Sequence, residues 1–309
     1  MKLLILAIAI LQSCAPAPSA VVDSHGDGII NGQTINARTT NASKSVVALR
    51  LLNSQGQFLT FCTGTLIAVD TVLTAAHCLD QSALKGLTSI EVVFANRVGA
   101  TTAPSTFKIN TKIFAMHPAY NTEGYPTYVN VLKHRRWIKN PILKFGVNHD
   151  HDIGVVVFDK KLFGGKLPAG FAAATMSRDQ QTNLALKTVF VYGYGRTADY
   201  GTPKEPSFWD LYGTLHRGKL SITTDFTTAN NRYLSEPSDG AFTCQGDSGG
   251  PQFVDSPAGP VIVGVNSLSG NNLAGAYAQS CRGTSTATFV PNFATWVDEA
   301  QSRLRLMNQ

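Results

Sequence analysis

Short runs of apolar or alternating residues recur along the chain, and few stretches show a helical period. Residues 45–52, 58–68, 90–94, 153–158, 188–192, 261–265 and 287–290 are such runs, with turn-forming residues between them. This is the pattern of an all-β barrel or sandwich. The C-terminus departs from it. Phe293, Trp296, Val297, Ala300 and Leu304 recur at three- and four-residue spacing, which predicts an amphipathic helix capping the body.

Composition narrows the class. Of 309 residues 43% are hydrophobic and only 15% charged, which suits a folded globular protein and argues against disorder. The length accommodates an all-β body of about 200–250 residues plus a leader. The net charge of +6 is thinly spread, and its one dense patch is Lys133-His134-Arg135-Arg136-Trp137-Ile138-Lys139. That patch reads as a solvated surface loop, so no nucleic-acid partner is expected. Past the leader no apolar run is long enough to cross a bilayer.

The leader begins with Lys2, continues through the apolar residues 3–11 and ends in Gln12-Ser13-Cys14. One basic residue before a short apolar core fits a secretory signal. Leu11-Gln12-Ser13-Cys14 also looks like a bacterial lipobox, in which the cysteine after the cut becomes lipid-modified. An ordinary signal peptide cut after Ala17 or Ala20 is the other reading, and both stay open. Residues 1–28 are thus expected to be a leader with a short propeptide, and 29–309 the functional domain, in a secreted or cell-envelope protein.

Five cysteines are an odd number, and setting Cys14 aside leaves Cys62, Cys78, Cys244 and Cys281. An even set without a Cys-x-x-Cys pair fits disulfides in an oxidising compartment better than zinc. Asn148-His149-Asp150-His151-Asp152 gathers possible metal ligands. In an extended chain His149 and His151 share a face while Asp152 points the other way. That set is incomplete, so no metal and no cofactor are expected.

Three segments carry chemistry. Leu73-Thr74-Ala75-Ala76-His77-Cys78 ends an apolar run on a histidine, and Asp152 heads the strand-like run that follows it. Gly246-Asp247-Ser248-Gly249-Gly250-Pro251 sets a serine among glycines. A serine hydroxyl is a poor nucleophile until a bonded imidazole takes its proton. A buried carboxylate fixes that ring's tautomer, and backbone N–H groups bind the developing oxyanion. Histidine, aspartate and serine in this order and these contexts resemble the chymotrypsin/trypsin-like serine peptidases.

The resemblance covers about residues 29–300 and implies two packed six-stranded antiparallel β-barrels with a C-terminal helix. The active site lies in the cleft between them. His77 is then the base and Asp152 its orienter, both from the first barrel. Ser248, from the second, is the nucleophile, and the N–H groups of Gly246 and Ser248 form the oxyanion hole. The bridges Cys62–Cys78 and Cys244–Cys281 match those of the family. The residue six before the serine, Phe242, falls at the floor of the specificity pocket, with Ser269 and Ser285 as walls and residues 267–269, from Ser267, as the substrate-pairing backbone.

Cleavage after Arg or Lys needs a carboxylate at that floor, because a buried cation without a partner is costly. Phe242 supplies none. It either floors a site for small or medium uncharged side chains or fills the pocket as core. Ile29-Ile30-Asn31-Gly32 resembles a mature N-terminus, whose freed α-ammonium pairs with the aspartate before the serine, here Asp247. Gly28 stands where a basic residue is usual, so another activating protease makes the cut or activation takes a different route. His77 and Asp152 are 75 residues apart, more than the family needs, and the excess falls within about 96–150 with Tyr120, Tyr125 and Tyr128. A lid and an inert insertion are both open.

The expected function is therefore an exported serine endopeptidase acting on polypeptide substrates, made as a zymogen and, if Cys14 is lipidated, anchored to membrane. A catalytically silent binding protein on the same fold is the rival. An esterase would more often carry a Gly-x-Ser-x-Gly elbow with the histidine after the serine, the reverse of the order here.

Overall fold

The apolar runs become strands that pair almost entirely antiparallel. A computed structural model of the chain describes residues 29–81, 83–99, 107–120, 150–198, 212–225, 231–270 and 281–308. In chain order these hold β1 (Gln33–Thr34), α1 (Asn41–Ser45), β2 (Val46–Leu52), β3 (Phe58–Ala68), β4 (Thr71–Thr74), β5 (Ser89–Phe94), β6 (Phe107–Thr111) and β7 (Ile113–Met116). There follow β8 (Gly154–Val157), β9 (Thr175–Met176), β10 (Thr188–Gly193), β11 (His216–Asp225), β12 (Arg232–Pro237), β13 (Pro251–Val254), β14 (Val261–Gly270) and β15 (Thr284–Phe289). The last element is the helix α2 (Ala294–Met307), at the position the apolar spacing predicts.

The first sheet runs β6-β5-β2-β3-β4-β8-β7. β6 and β7 are consecutive and break only at Lys112, yet β6 pairs with β5 and β7 with β8. The bent segment 107–116 therefore joins the two edges, and Thr111 Oγ1 donates across the join to Val157 O at 2.6 Å. Counted once, it makes six strands. In the second sheet the ring β11-β10-β13-β14-β15-β12 closes on itself through the β11–β12 pairing. β1 adds to β11, and β9 adds to β14 in parallel. The chain thus has the trypsin-type fold.

Burial explains why these runs became strands. Val46, Val47, Leu49, Leu51, Leu66, Val72, Leu73, Val92, Val155 and Val156 are fully buried in the first barrel, each contributing about 1.5–3 kcal/mol by leaving water. β12 escapes a reading by hydrophobic alternation because its inward side chains are polar: the buried positions are Tyr233 and Ser235. Helix α2 buries Val297, Ala300 and Leu304. Its outer turns are tied to the β3–β4 corner by Arg305 Nε to Asp70 Oδ2 at 2.9 Å and Gln301 Nε2 to Thr71 Oγ1 at 2.7 Å. Both expected disulfides form, Cys62–Cys78 and Cys244–Cys281, closing separations of 16 and 37 residues. On the chain-entropy account each stabilises the fold by about 3 kcal/mol.

Candidate active site

β4 delivers His77. After Thr74 the chain enters a 3-10 turn, Ala76–Cys78, pinned to β3 by the Cys62–Cys78 bridge. β4 pairs with β8 so that Thr74 faces Gly154, which brings Asp152, two residues upstream, beside that turn. Asp152 is fully buried. Its Oδ1 accepts from the His77 backbone N–H at 2.9 Å, and its Oδ2 lies 2.7 Å from His77 Nδ1 and accepts from Ser267 Oγ at 2.5 Å. A carboxylate can only accept, so the proton sits on Nδ1 and Nε2 is left as the basic nitrogen. Burial works to lower the His77 pKa, but the charge and hydrogen bond of Asp152, with Asp80 beyond it, raise it above the ordinary histidine value. His77 keeps 26% of its side chain exposed, enough to meet a substrate.

Ser248 lies on the turn between Cys244 and β13. Gly249 has φ +79°, and a Cβ there would come within 2.0 Å of Thr74 Oγ1, so only glycine lets the turn press on β4. Thr63 of β3, fully buried, grips the same turn: its N–H donates to Ser248 O at 2.8 Å and its Oγ1 to Gly246 O at 2.8 Å, while Oγ1 accepts from Tyr194 N at 3.1 Å. The two barrels therefore meet at the serine.

The N–H groups of Gly246 and Ser248 are aimed by the carbonyls of their own peptides, because N–H and C=O point opposite ways across a trans peptide. Gln245 O accepts from Arg196 N at 2.7 Å, and Asp247 O accepts from Gly250 N at 3.0 Å and Asn266 Nδ2 at 3.2 Å. Among the described residues neither the Gly246 nor the Ser248 N–H donates to another protein group. A pair of fixed, unspent donors is what an oxyanion requires.

Asp247 is fully buried, accepting from Gly195 N at 2.8 Å and Cys244 N at 2.9 Å. Gly193 and Gly195 cradle its carboxyl: a Cβ on either would fall 2.0 Å and 2.6 Å from Oδ1. Burial pushes its pKa up to about 7 in spite of the two N–H donors. Ile29 is buried in the second barrel, and Ile30 pairs with Phe242, accepting from its N–H at 2.9 Å. The segment read as an activation site thus lies alongside the approach to the serine loop.

The residues read as a specificity pocket divide. Ser269 Oγ and Ser285 Oγ lie 2.6 Å and 2.9 Å from Thr243 Oγ1. Phe242 instead packs on Ile30, Cys244 and Cys281, with the Arg282 guanidinium 5.6 Å from its ring centre. Ser267 turns its hydroxyl to Asp152. Thr243 was missed because a single threonine beside a cysteine carries no pattern; the role of Thr63 exists only across barrels, and that of Asn266 only once β14 lies beside the serine turn. Cys14, His149, Tyr125, Tyr128 and the basic patch 133–139 lie outside the described residues. His151 stacks on His117 with ring centres 5.0 Å apart, against Phe293.

Comparison with known proteins bears on this geometry. The family model Trypsin matches residues 30–297. A chymotrypsin of Phaedon cochleariae is 25% identical over 291 residues, covering 87% of this chain and 80% of that protein. Chymotrypsin-like elastase family member 1 of Canis lupus familiaris is 24% identical over 259 residues, 84% of this chain and 87% of that protein. Coagulation factor IX of Cavia porcellus is 26% identical over 223 residues, 71% of this chain and 65% of that protein.

Proposed function

Because the chain belongs to the trypsin family, we propose that it is an exported serine endopeptidase with Ser248 as nucleophile, His77 as general base and Asp152 as orienting carboxylate. Ser248 Oγ attacks the scissile carbonyl as His77 Nε2 takes its proton, and the carbonyl oxygen becomes an anion held by the N–H groups of Gly246 and Ser248. The imidazolium then protonates the leaving amine, the C–N bond breaks and an acyl-serine remains. Water repeats the sequence, with His77 as base, and frees Ser248. The observation that carries this reading is the buried Asp152 carboxylate bonded to both the ring and the backbone of His77. A fluorophosphonate tests it: labelling at Ser248 is expected, and loss of label in His77→Ala. Full labelling of that variant would reject the assignment.

The substrate side chain before the cut is small or medium and uncharged. The hydroxyls of Thr243, Ser269 and Ser285 and the apolar Phe242 support this, since no carboxylate stands among them to hold a cation. In a random peptide library Ala, Val, Thr or Leu should precede the cut, and dominant cleavage after Arg would show the pocket assignment to be wrong.

Activation follows cleavage after Gly28, whose new α-ammonium at Ile29 pairs with Asp247. The buried Asp247 carboxyl, with no basic partner among the described residues, supports such a switch. The two disulfides fit an oxidising, extracellular setting. With Cys14 lipidated, the same cut would release the domain from the membrane. Acyl label on the precursor and its loss in Cys14→Ser distinguish this from an ordinary signal peptide.

A further inference from the structure

Three polar side chains lie inside the second barrel, where carbon would ordinarily be. Tyr233 and Gln252 are fully buried and Asn266 is 2% exposed. They form a line: Tyr233 Oη donates to Gln252 Oε1 at 2.9 Å, Gln252 Nε2 to Asn266 Oδ1 at 2.9 Å, and Asn266 Nδ2 to Asp247 O at 3.2 Å. The barrel makes room for the line. A Cβ at Gly264 would sit 2.1 Å from the Tyr233 hydroxyl oxygen, so only glycine opposite it lets the phenol reach Gln252.

The far end sets the direction of the whole line. Asp247 O can only accept, which turns the Asn266 amide nitrogen toward it. Asn266 Oδ1 then faces Gln252 Nε2, and Gln252 Oε1 faces the phenolic O–H. Reversing Asn266 would set its Oδ1 against Asp247 O, and reversing Gln252 would set its Oε1 against Asn266 Oδ1, two acceptors facing each other in either case. Buried amides are costly unless satisfied, and a fully bonded chain holds its members more firmly than isolated pairs do.

Asp247 O belongs to the peptide that carries the Ser248 N–H. Asn266 also holds the turn by its backbone, donating to Gly250 O and accepting from Gly249 N, each at 2.8 Å. We propose that Asn266, oriented by Gln252 and Tyr233, is a positioning residue that aims the Ser248 N–H at the substrate oxyanion. This rests on the assignment of that N–H to the oxyanion hole.

The test is kinetic. Asn266→Leu, close to isosteric, is expected to lower kcat by about tenfold, a fraction of the roughly 100- to 1000-fold lost when an oxyanion donor is removed outright. KM should stay within about twofold, since ground-state contacts are untouched. Tyr233→Phe should lower kcat by about threefold, and the double variant should fall no lower than Asn266→Leu, because one line is broken once. Wild-type kcat in Asn266→Leu, or losses that multiply, would overturn the proposal. Should Asn266→Leu not fold, Tyr233→Phe carries the test, and an unchanged kcat there overturns it. Amide exchange across residues 245–250 separates this from the peptidase reading. Faster exchange in both variants supports the relay and unchanged exchange rejects it, whether or not Ser248 reacts with the phosphonate in the wild type.

Discussion

The first barrel is filled mainly with valine and leucine around β2, β4 and β8, and it presents His77 and Asp152 from segments anchored by that apolar frame. The second barrel carries Tyr233, Ser235, Gln252, Asn266 and Thr288 among its buried residues and presents Ser248 from a turn with little apolar content of its own. Apolar packing fixes position through volume, because close-packed interiors resist displacement. Hydrogen bonds fix direction, because they weaken steeply off axis. On the proposed mechanism the base and its orienter need to be in place, and the oxyanion donors need also to be aimed. Near the site the supports follow that division: β4 and β8, beside His77 and Asp152, bury Val72, Leu73, Val155 and Val156, while the Ser248 turn is held by hydrogen bonds from Thr63 and Asn266.

The largest effect belongs to the residues where the barrels meet. Ser248→Ala or His77→Ala should each reduce turnover by about a million-fold and the pair together by no more, with thermal unfolding unchanged. Additive losses would mean that the two do not act as one unit.

Truncation of carbon in the first barrel should have the opposite signature. Leu73→Ala is expected to cost about 2–5 kcal/mol of stability in urea unfolding, with kcat per folded molecule nearly unchanged. A large kcat loss at full folding would show that the apolar frame also aims the site.

Asp247 sharpens the contrast. Its buried carboxyl holds a proton up to about pH 7 in the folded chain, against an ordinary value of 3.8. The folded state therefore binds more protons across that window, and stability falls as pH rises through it. Asp247→Asn should flatten this slope in the uncleaved chain. In the cleaved form it should lower activity by about tenfold, since an amide cannot pair with the Ile29 ammonium. An unaltered slope would locate the titration elsewhere.

The smallest effect lies at the docking of α2 on the first barrel. His117 stacks on His151 and meets Phe293 and Trp296 edge-on. Burial, then the charge of His151, push its pKa down to about 4 from 6.5. The unfolded chain takes up the proton first, so stability is complete above pH 6.5 and is lost as pH falls toward 4. His117→Phe should remove that part of the acid sensitivity in a pH series of thermal unfolding, with peptidase turnover at neutral pH retained.

Much of this was legible beforehand. β2, β3, β5 and β10 fall on their apolar runs because apolar content and β-branching are local properties. α2 falls on its spacing for the same reason. The bend at Lys112 did not announce itself, since only pairing with both β5 and β8 makes one segment serve two edges. β12 stayed hidden because its inward Tyr233 and Ser235 are polar, and inward polarity makes sense only beside Gln252 and Ser285.

By itself the chain determined its all-β class and the order of its histidine, aspartate and serine, because each rests on residue types written locally, whereas the two cysteine bridges and the paired barrels were implied by the resemblance those residues carry. Tertiary structure alone decided that Thr63 grips the serine turn, that Thr243 rather than Phe242 meets Ser269 and Ser285, and that Asn266 ends a buried line on Asp247 O. These are bonds between residues 19 to 185 positions apart, the longest from Thr63 to Ser248. A hydrogen bond depends on where two atoms are brought and how they are turned, and for such pairs both are set by the closing of the barrels.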